Sequence, residues 1–304
     1  MPLTAEPAKT GEYVLNDGIN EVNESVEGKT FDVGEGKAVR IINTNGESTD
    51  PIIIKDCIFN ISGTTLGLVY GEYRSKVFVE GNVQFIDCKF IAENGKTSGT
   101  SGTDACIDLM GDKNITFNNC EIESTGWEGQ FLALYGDANV TFDNSRISTT
   151  DNVGGWSYAM YGGSVLNLIN NSELRATGMK KKSGNINAFY SGDANTKYDA
   201  INISDSTVEF KDNEAGGFAI NNINIHVNNS KIYVMNNLGN ASNSGMWYLN
   251  NNSKIDIIGN RCHGLSLIGI DASDSEINIL HNGYAGLYVQ AVDSFFRNCT
   301  GNIR

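Results

Sequence analysis

Only 3 prolines stand against 34 glycines in the 304-residue chain. Its turns must therefore rest on glycine, asparagine, aspartate and serine, which reach positive φ or bond their own backbone at least cost. Basic residues are also scarce: 22 Lys and Arg against 36 Asp and Glu give a formal net charge of −14. Such a surface repels nucleic acid and anionic lipid and argues against an electrostatically held polyanion. No apolar run approaches the ~20 residues that span a bilayer, so membrane insertion is not expected. The opening residues, Met1-Pro2-Leu3-Thr4-Ala5-Glu6-Pro7, lack the basic and apolar regions of a signal peptide and read as a trimmed start. No stretch carries a convincing amphipathic helix of ten or more residues. The six cysteines form no CxxC and no Cys/His spacing suited to zinc.

What the chain has in abundance is a repeat. Ile54-Lys55-Asp56-Cys57-Ile58-Phe59 returns as Phe85-Ile86-Asp87-Cys88-Lys89-Phe90 and Phe117-Asn118-Asn119-Cys120-Glu121-Ile122. The form, apolar-x-[Asn/Asp]-[Cys/Ser]-x-apolar, continues through Ser145, Ser172, Ser206 and Ser230, with weaker copies centred on Ser253, Ser275 and Ser294. Successive spacings of 31, 32, 25, 27, 34, 24, 23, 22 and 19 residues suit one turn of a solenoid. A short apolar strand ending in Tyr70-Gly71, Met110-Gly111, Tyr135-Gly136 or Tyr161-Gly162, with Tyr190-Ser191 as a variant, precedes the earlier copies. Each coil reads as strand, glycine turn, strand, Asn/Asp bend, strand and variable loop. Coils stacked about 4.8 Å apart put like residues above one another. An Asn or Asp at the bend tolerates the left-handed conformation, and its side chain can bond along the stack. The Cys or Ser after it turns into a crowded corner. Cys57, Cys88 and Cys120 are expected there as buried free thiols, because in-register parallel neighbours suit disulfide geometry poorly.

These corners resemble the asparagine-ladder turns of the pectin-lyase-like superfamily. The resemblance runs from about Val39 to the C-terminus, and it implies an all-β, single-stranded right-handed parallel β-helix of about ten to eleven coils. The Asn-, Gly- and Ser-rich style is most similar to pectate-lyase-like adhesive domains of bacterial surface proteins. Residues 1–37 are expected to form an N-terminal segment with the first coil or cap. Residues 38–304 are expected to form the β-helix, truncated at its C-terminus because residues 301–304 stop inside a coil, with further domains of the same chain downstream.

In that superfamily the binding groove lies along the first strand of each coil, walled by the loops that follow the third. The matching loops here are residues 93–104, 124–130, 149–157, 178–187 and 239–245. An enzymatic reading finds little there. Asp108 is the only acidic residue expected on the first strands, and no Asp-Asp pair occurs anywhere. Cys262-His263-Gly264 faintly echoes the Gly-His-Gly of polygalacturonases without its partners, and His226 and His281 have no evident companion.

A binding reading has more material. Tyr70, Tyr135, Tyr161 and Tyr190 are expected to form an outward column, provided that Leu109, Leu134, Met160 and Phe189 point inward. Trp127 and Trp156 are expected in adjacent loops and Trp247 on an equivalent strand. Spaced aromatics stack on the apolar faces of sugar rings; the competing reading is structural stacking. Glu80, Asp112 and Asp137 stand eight residues before a repeat Cys or Ser, and such a carboxylate column could hold calcium or be plain solvated charge. Lys180-Lys181-Lys182 reads as a solvated loop tip. A non-catalytic surface adhesin or carbohydrate-binding solenoid with a glycan or host-surface ligand, extracellular or on the cell surface, is the leading expectation. A polysaccharide lyase or glycoside hydrolase, and a structural stalk such as a tailspike, stay open beside it.

Overall fold

A computed structural model describes residues 11–43, 50–66, 75–98, 105–111, 113–182, 187–192, 199–220, 223–243, 245–289 and 294–304. Tyr70 and Asp112 lie outside these residues. The strands assemble into three sheets of eleven, and every pairing within a sheet is parallel. Each strand pairs with the one three places further along the chain, so every coil gives one strand to each sheet. The chain is a right-handed parallel β-helix, and among the described residues it contains no helix. The first strands of the three sheets are Gly18–Val22, Val26–Glu27 and Thr30–Val33.

Period-two alternation within the strands explains the core. Val140 and Phe142 are buried in Asn139–Asp143, while the residues between and beside them are only partly so. Register then turns single positions into columns. Phe85, Phe117 and Phe142 pair in the second sheet, with ring centroids 4.7 and 4.8 Å apart. In the third sheet Phe31, Phe59 and Phe90 stack at 4.5 and 4.4 Å. Repetition along the axis thus yields a continuous apolar interior from a short motif.

The repeat corners form as expected. Asp56, Asp87, Asn119, Asn144, Asn171, Asp205, Asn229, Asn252 and Asp274 all have positive φ. Asn119 Nδ2 donates to Asp87 Oδ1 at 2.5 Å, Asn144 to Asn119 at 3.3 Å and Asn229 to Asp205 at 2.6 Å. Two coils widen the bend by one residue, with both Asn170 and Asn171, and both Asn251 and Asn252, at positive φ. There Asn170 and Asn251 do the bonding, to Asp143 and Asn228, so the outer ladder steps sideways instead of running through Asn171.

The following small residue faces inward. Ser145 Oγ donates to Phe117 O and accepts from Cys120 N; Ser172 Oγ donates to Phe142 O and accepts from Ser145 N. Cys57, Cys88 and Cys120 are free and buried in this column. Burial is the main effect pushing the Cys88 thiol far up, which keeps it protonated and unreactive. The tenth corner differs from expectation. It is Asn298-Cys299, with Asn298 at positive φ and bonded to Asp274, while Ser294 lies one strand earlier, ahead of Phe295–Arg297.

A second inward column lies seven residues after each Cys or Ser from Cys88 to Ser275. It reads Gly95, Trp127, Asn152, Met179, Asn213, Asn237, Asn260 and Asn282. Each follows a residue at positive φ: Asn94, Gly126, Asp151, Gly178, Asp212, Asn236, Gly259 or His281. Four consecutive asparagines make a ladder. Asn213 Nδ2 donates to Ala176 O and to Asn237 Oδ1. Asn237 Nδ2 donates to Phe210 O and Asn260 Oδ1, and Asn260 Nδ2 to Val234 O and Asn282 Oδ1. Each amide therefore satisfies a backbone carbonyl in the third sheet while closing the corner.

Candidate binding face on the first sheet

The outer face of the first sheet is built by Ala105–Met110, Gln130–Tyr135, Tyr158–Met160 and Asn187–Ser191. Leu109, Leu134, Met160 and Phe189 point into the core as expected. Ala105, Ala133 and Ala159 face outward and form a shallow floor, against which Tyr135, Tyr161, Tyr190, Trp156 and Met110 pack. Small side chains at these stations let rings lie flat on the sheet. Tyr135 and Tyr161 stack at 4.8 Å with an interplanar angle of 6°, and Trp156 and Tyr190 stack at 3.8 Å and 6°. Trp156, Tyr161 and Tyr190 are half-buried, while Tyr135 keeps only 6% of its surface exposed.

Register corrects the expected single column. Glu80, Met110 and Tyr135 pair in succession, and Tyr161 N donates to Leu134 O in continuation of them. Tyr190 pairs instead with Ala159, and the station beside Tyr161 passes to Gly192, whose N donates to Met160 O. Tyr190 thus lies one outward row away from Tyr161. From there it reaches Trp156, which sits beside Gln130 because Phe131 N donates to Trp156 O. The result is a cluster two rows wide, not a stripe.

Two tryptophans leave the site. Trp127 is fully buried, because the positive φ of Gly126 turns it inward at the second corner. It lies over Gly95, where a Cβ would come within 2.1 Å of the indole, and its Nε1 donates to Thr97 Oγ1 at 3.3 Å. Trp247 is a core residue of the second sheet, paired with Ile225 and Ile270 and edge-on to Phe218 at 5.6 Å. Its coil contributes only Ser242–Asn243 to the first sheet, so counting along the sequence misplaces it by one sheet.

The expected carboxylate column also changes. Glu80 pairs with Met110 on the strand, whereas Asp137 is an exposed residue of the turn after Tyr135. The first-sheet strand ends at Glu80 in one coil and at Met110 in the next, and the second-sheet strands that follow begin at Val83 and Asn114. A count of eight back from the corner therefore does not keep register. Glu80 joins the aromatic row instead.

Asp108 is a polar residue of the floor missed as part of the cluster. It pairs with Phe78 on one side and Ala133 on the other and is fully buried. Tyr161 Oη donates to Gln130 Oε1 at 3.4 Å. Burial pushes the Tyr161 hydroxyl up, Tyr190 and Asp108 add to the effect, and the Gln130 bond opposes it. The phenol is accordingly a neutral donor at physiological pH. The outward spacing of Asp108 relative to Leu109 signals its place; its burial has no sequence signature.

Elsewhere, a depression of about 220 Å³ on the third sheet is lined by Glu123, Arg146, Ser148, Arg175 and Glu209 among others. Arg146 and Arg175 both approach Glu173 there, at 3.8 and 3.1 Å. Among the described residues, no group of three or more His, Cys, Asp or Glu could hold a metal ion. No helix among them is long and apolar enough to cross a membrane.

No protein-family model and no curated protein matches the chain. Solved structures similar to it include the periplasmic alginate epimerase AlgG, at 11% identity and a TM-score of 0.40, with 94% of this chain and 79% of that one covered. PfbA, a surface adhesin of Streptococcus pneumoniae, is similar at 10% identity and a TM-score of 0.30, covering 94% and 83%. The A-module of the Azotobacter vinelandii mannuronan C-5 epimerase AlgE6 is similar at 11% identity and 0.30, covering 92% and 91%. The fold assignment rests on the sheets and registers described above.

Proposed function

We propose that this chain is a non-catalytic carbohydrate-binding β-helix of the adhesin type, extracellular or on a cell surface, which holds a glycan against the aromatic cluster of the first sheet. One observation carries the reading: Trp156, Tyr161 and Tyr190 lie outside the apolar interior, over a floor of alanines, with their rings already ordered by stacking. Core packing needs no tyrosine or tryptophan on that side of the sheet. Preordered rings offer a sugar large apolar contact at small entropic cost, and the neutral Tyr161 hydroxyl and Gln130 supply polar contacts.

The test is a glycan array probed with the wild-type chain and with Trp156→Ala and Tyr161→Ala. Each variant is expected to lose at least tenfold in affinity, as buried aromatic anchors do, with an unchanged circular dichroism spectrum. Binding that survives both substitutions removes the proposal. Turnover of a polysaccharide, abolished by Asp108→Asn, would replace it with the lyase or hydrolase reading.

A further inference from the structure

We infer that His263, Tyr284 and Tyr288 form a second sugar subsite further along the helix axis, so that the first sheet holds a linear polysaccharide through its internal units; this rests on the binding reading above. The two groups of rings occupy equivalent stations. Trp156 stands two residues before Tyr158–Met160, and Tyr190 lies on the next coil, one residue after the Phe189 that pairs with Tyr158. His263 stands two residues before Leu265–Leu267, and Tyr288 lies on the next coil, one residue after the Leu287 that pairs with Leu265. Register thus sets a loop ring beside a strand ring in both places, with centroids 3.8 Å apart in the first and 6.4 Å in the second. Tyr284 adds a third ring, 5.3 Å from His263.

One outward row joins the two groups. Ala159, Tyr190, Ala219, Asn243, Ser266 and Tyr288 pair in succession. Phe218, Leu265 and Leu267 beside them belong to the core, so Ala219 and Ser266 face outward. No residue of the row between the two tyrosines is longer than asparagine, which leaves a shallow path. Four coil steps separate Tyr190 from Tyr288, about 19 Å at the usual strand spacing, farther than one sugar ring reaches. Tyr284 and Tyr288 keep 74% and 52% of their surface exposed, so packing does not account for them. Ala285 N donates to His263 Nδ1 at 3.4 Å, which orients the imidazole and leaves Nε2 as its outward donor. Ring faces with a donor beside them match the apolar face and hydroxyls of a pyranose. Once one group holds a long chain, contact with the other becomes intramolecular and adds affinity that a short oligomer lacks.

Calorimetric titration tests this with size series of neutral oligosaccharides: mannan, cellulose and xylan oligomers, from disaccharides to chains that span both groups. Long oligomers are expected to bind about tenfold tighter or more than short ones, as linked contacts do. Tyr284→Ala combined with Tyr288→Ala is expected to abolish this gain and to leave short oligomers bound at Trp156 and Tyr161. Both tyrosines are exposed, so the circular dichroism spectrum of that double variant should not change. A wild-type affinity that does not rise with length overturns the second subsite without recourse to any variant. A length gain that persists in the double variant also overturns it, and leaves the first cluster standing. Short-oligomer binding that persists when Trp156→Ala is added to the double variant removes the first cluster instead. Binding by none of the three series removes both.

Discussion

The two corners at the ends of each third-sheet strand use the same backbone device and fill it differently. Both place a residue at positive φ and turn the next side chain inward. At the first corner that side chain is Cys or Ser in every coil from Cys57 to Cys299, and its short arm meets a carbonyl and an N–H of neighbouring turns, as Ser145 does with Phe117 O and Cys120 N. At the second corner it is Gly95, Trp127, Asn152, Met179 or one of four successive asparagines. The first corner joins two strands directly, so its geometry repeats and admits only a small group. The second opens into loops of varying length, and what fills it depends on its neighbours along the stack. A tight bend constrains residue size; a bend leading to a loop constrains only direction.

Substitution at each corner breaks this contrast in a graded way. Asn237→Ala should be the most damaging, because it removes the donor to Phe210 O and to Asn260, and the acceptor for Asn213 N and Nδ2, from a fully buried site. Denaturant unfolding should show a loss of about 3–5 kcal/mol, as for other broken buried networks. Trp127→Ala follows at about 3–4 kcal/mol, the cost of a large buried cavity. Gly95→Ala should be destabilising in the wild type and less so in Trp127→Ala, where only the 2.7 Å approach of the new Cβ to Gly63 O remains, a coupling that a double-mutant cycle would measure. Ser145→Ala should cost about 1–2 kcal/mol at the small-residue corner, whereas Ser145→Cys should be close to neutral, since Cys88 and Cys120 occupy equivalent places.

The smallest effect lies on the strand joining the two corners. Burial, and then the neighbouring Glu121, raise the Glu123 carboxyl above its ordinary range. The folded chain therefore holds this proton more tightly than the unfolded chain, and stability falls as pH rises through the window just above the usual carboxylate value. Glu123→Gln should flatten that decline and gain no more than about 0.5 kcal/mol at neutral pH, seen in unfolding midpoints measured across that window.

The same contrast explains what was legible in the sequence. The first corner showed itself because it tolerates so few residues: Asp87-Cys88 and Asn229-Ser230 are recognisable in isolation. The second went unread although it recurs at a constant offset, since Trp127, Met179 and Asn237 share no chemistry, only an inward direction. The misplaced aromatics have a related cause. Turn lengths between the first two sheets vary, so equal counts from a corner do not mean equal height, and Glu80 and Tyr190 each shift a row. Trp247 moved to another sheet because its coil gives the first sheet only Ser242–Asn243. Burial of Trp127 and Asp108 depends on neighbours one coil away, which no local pattern records.

With Trp127 and Trp247 sealed in the interior, Trp156 is the tryptophan left on the outer face of the first sheet. Intrinsic tryptophan emission followed during titration with a neutral oligosaccharide therefore reports on the proposed site almost alone. A saturable change in emission, absent in Trp156→Phe, is the result expected. Saturable binding by calorimetry with emission unmoved would place the ligand elsewhere and contradict the account.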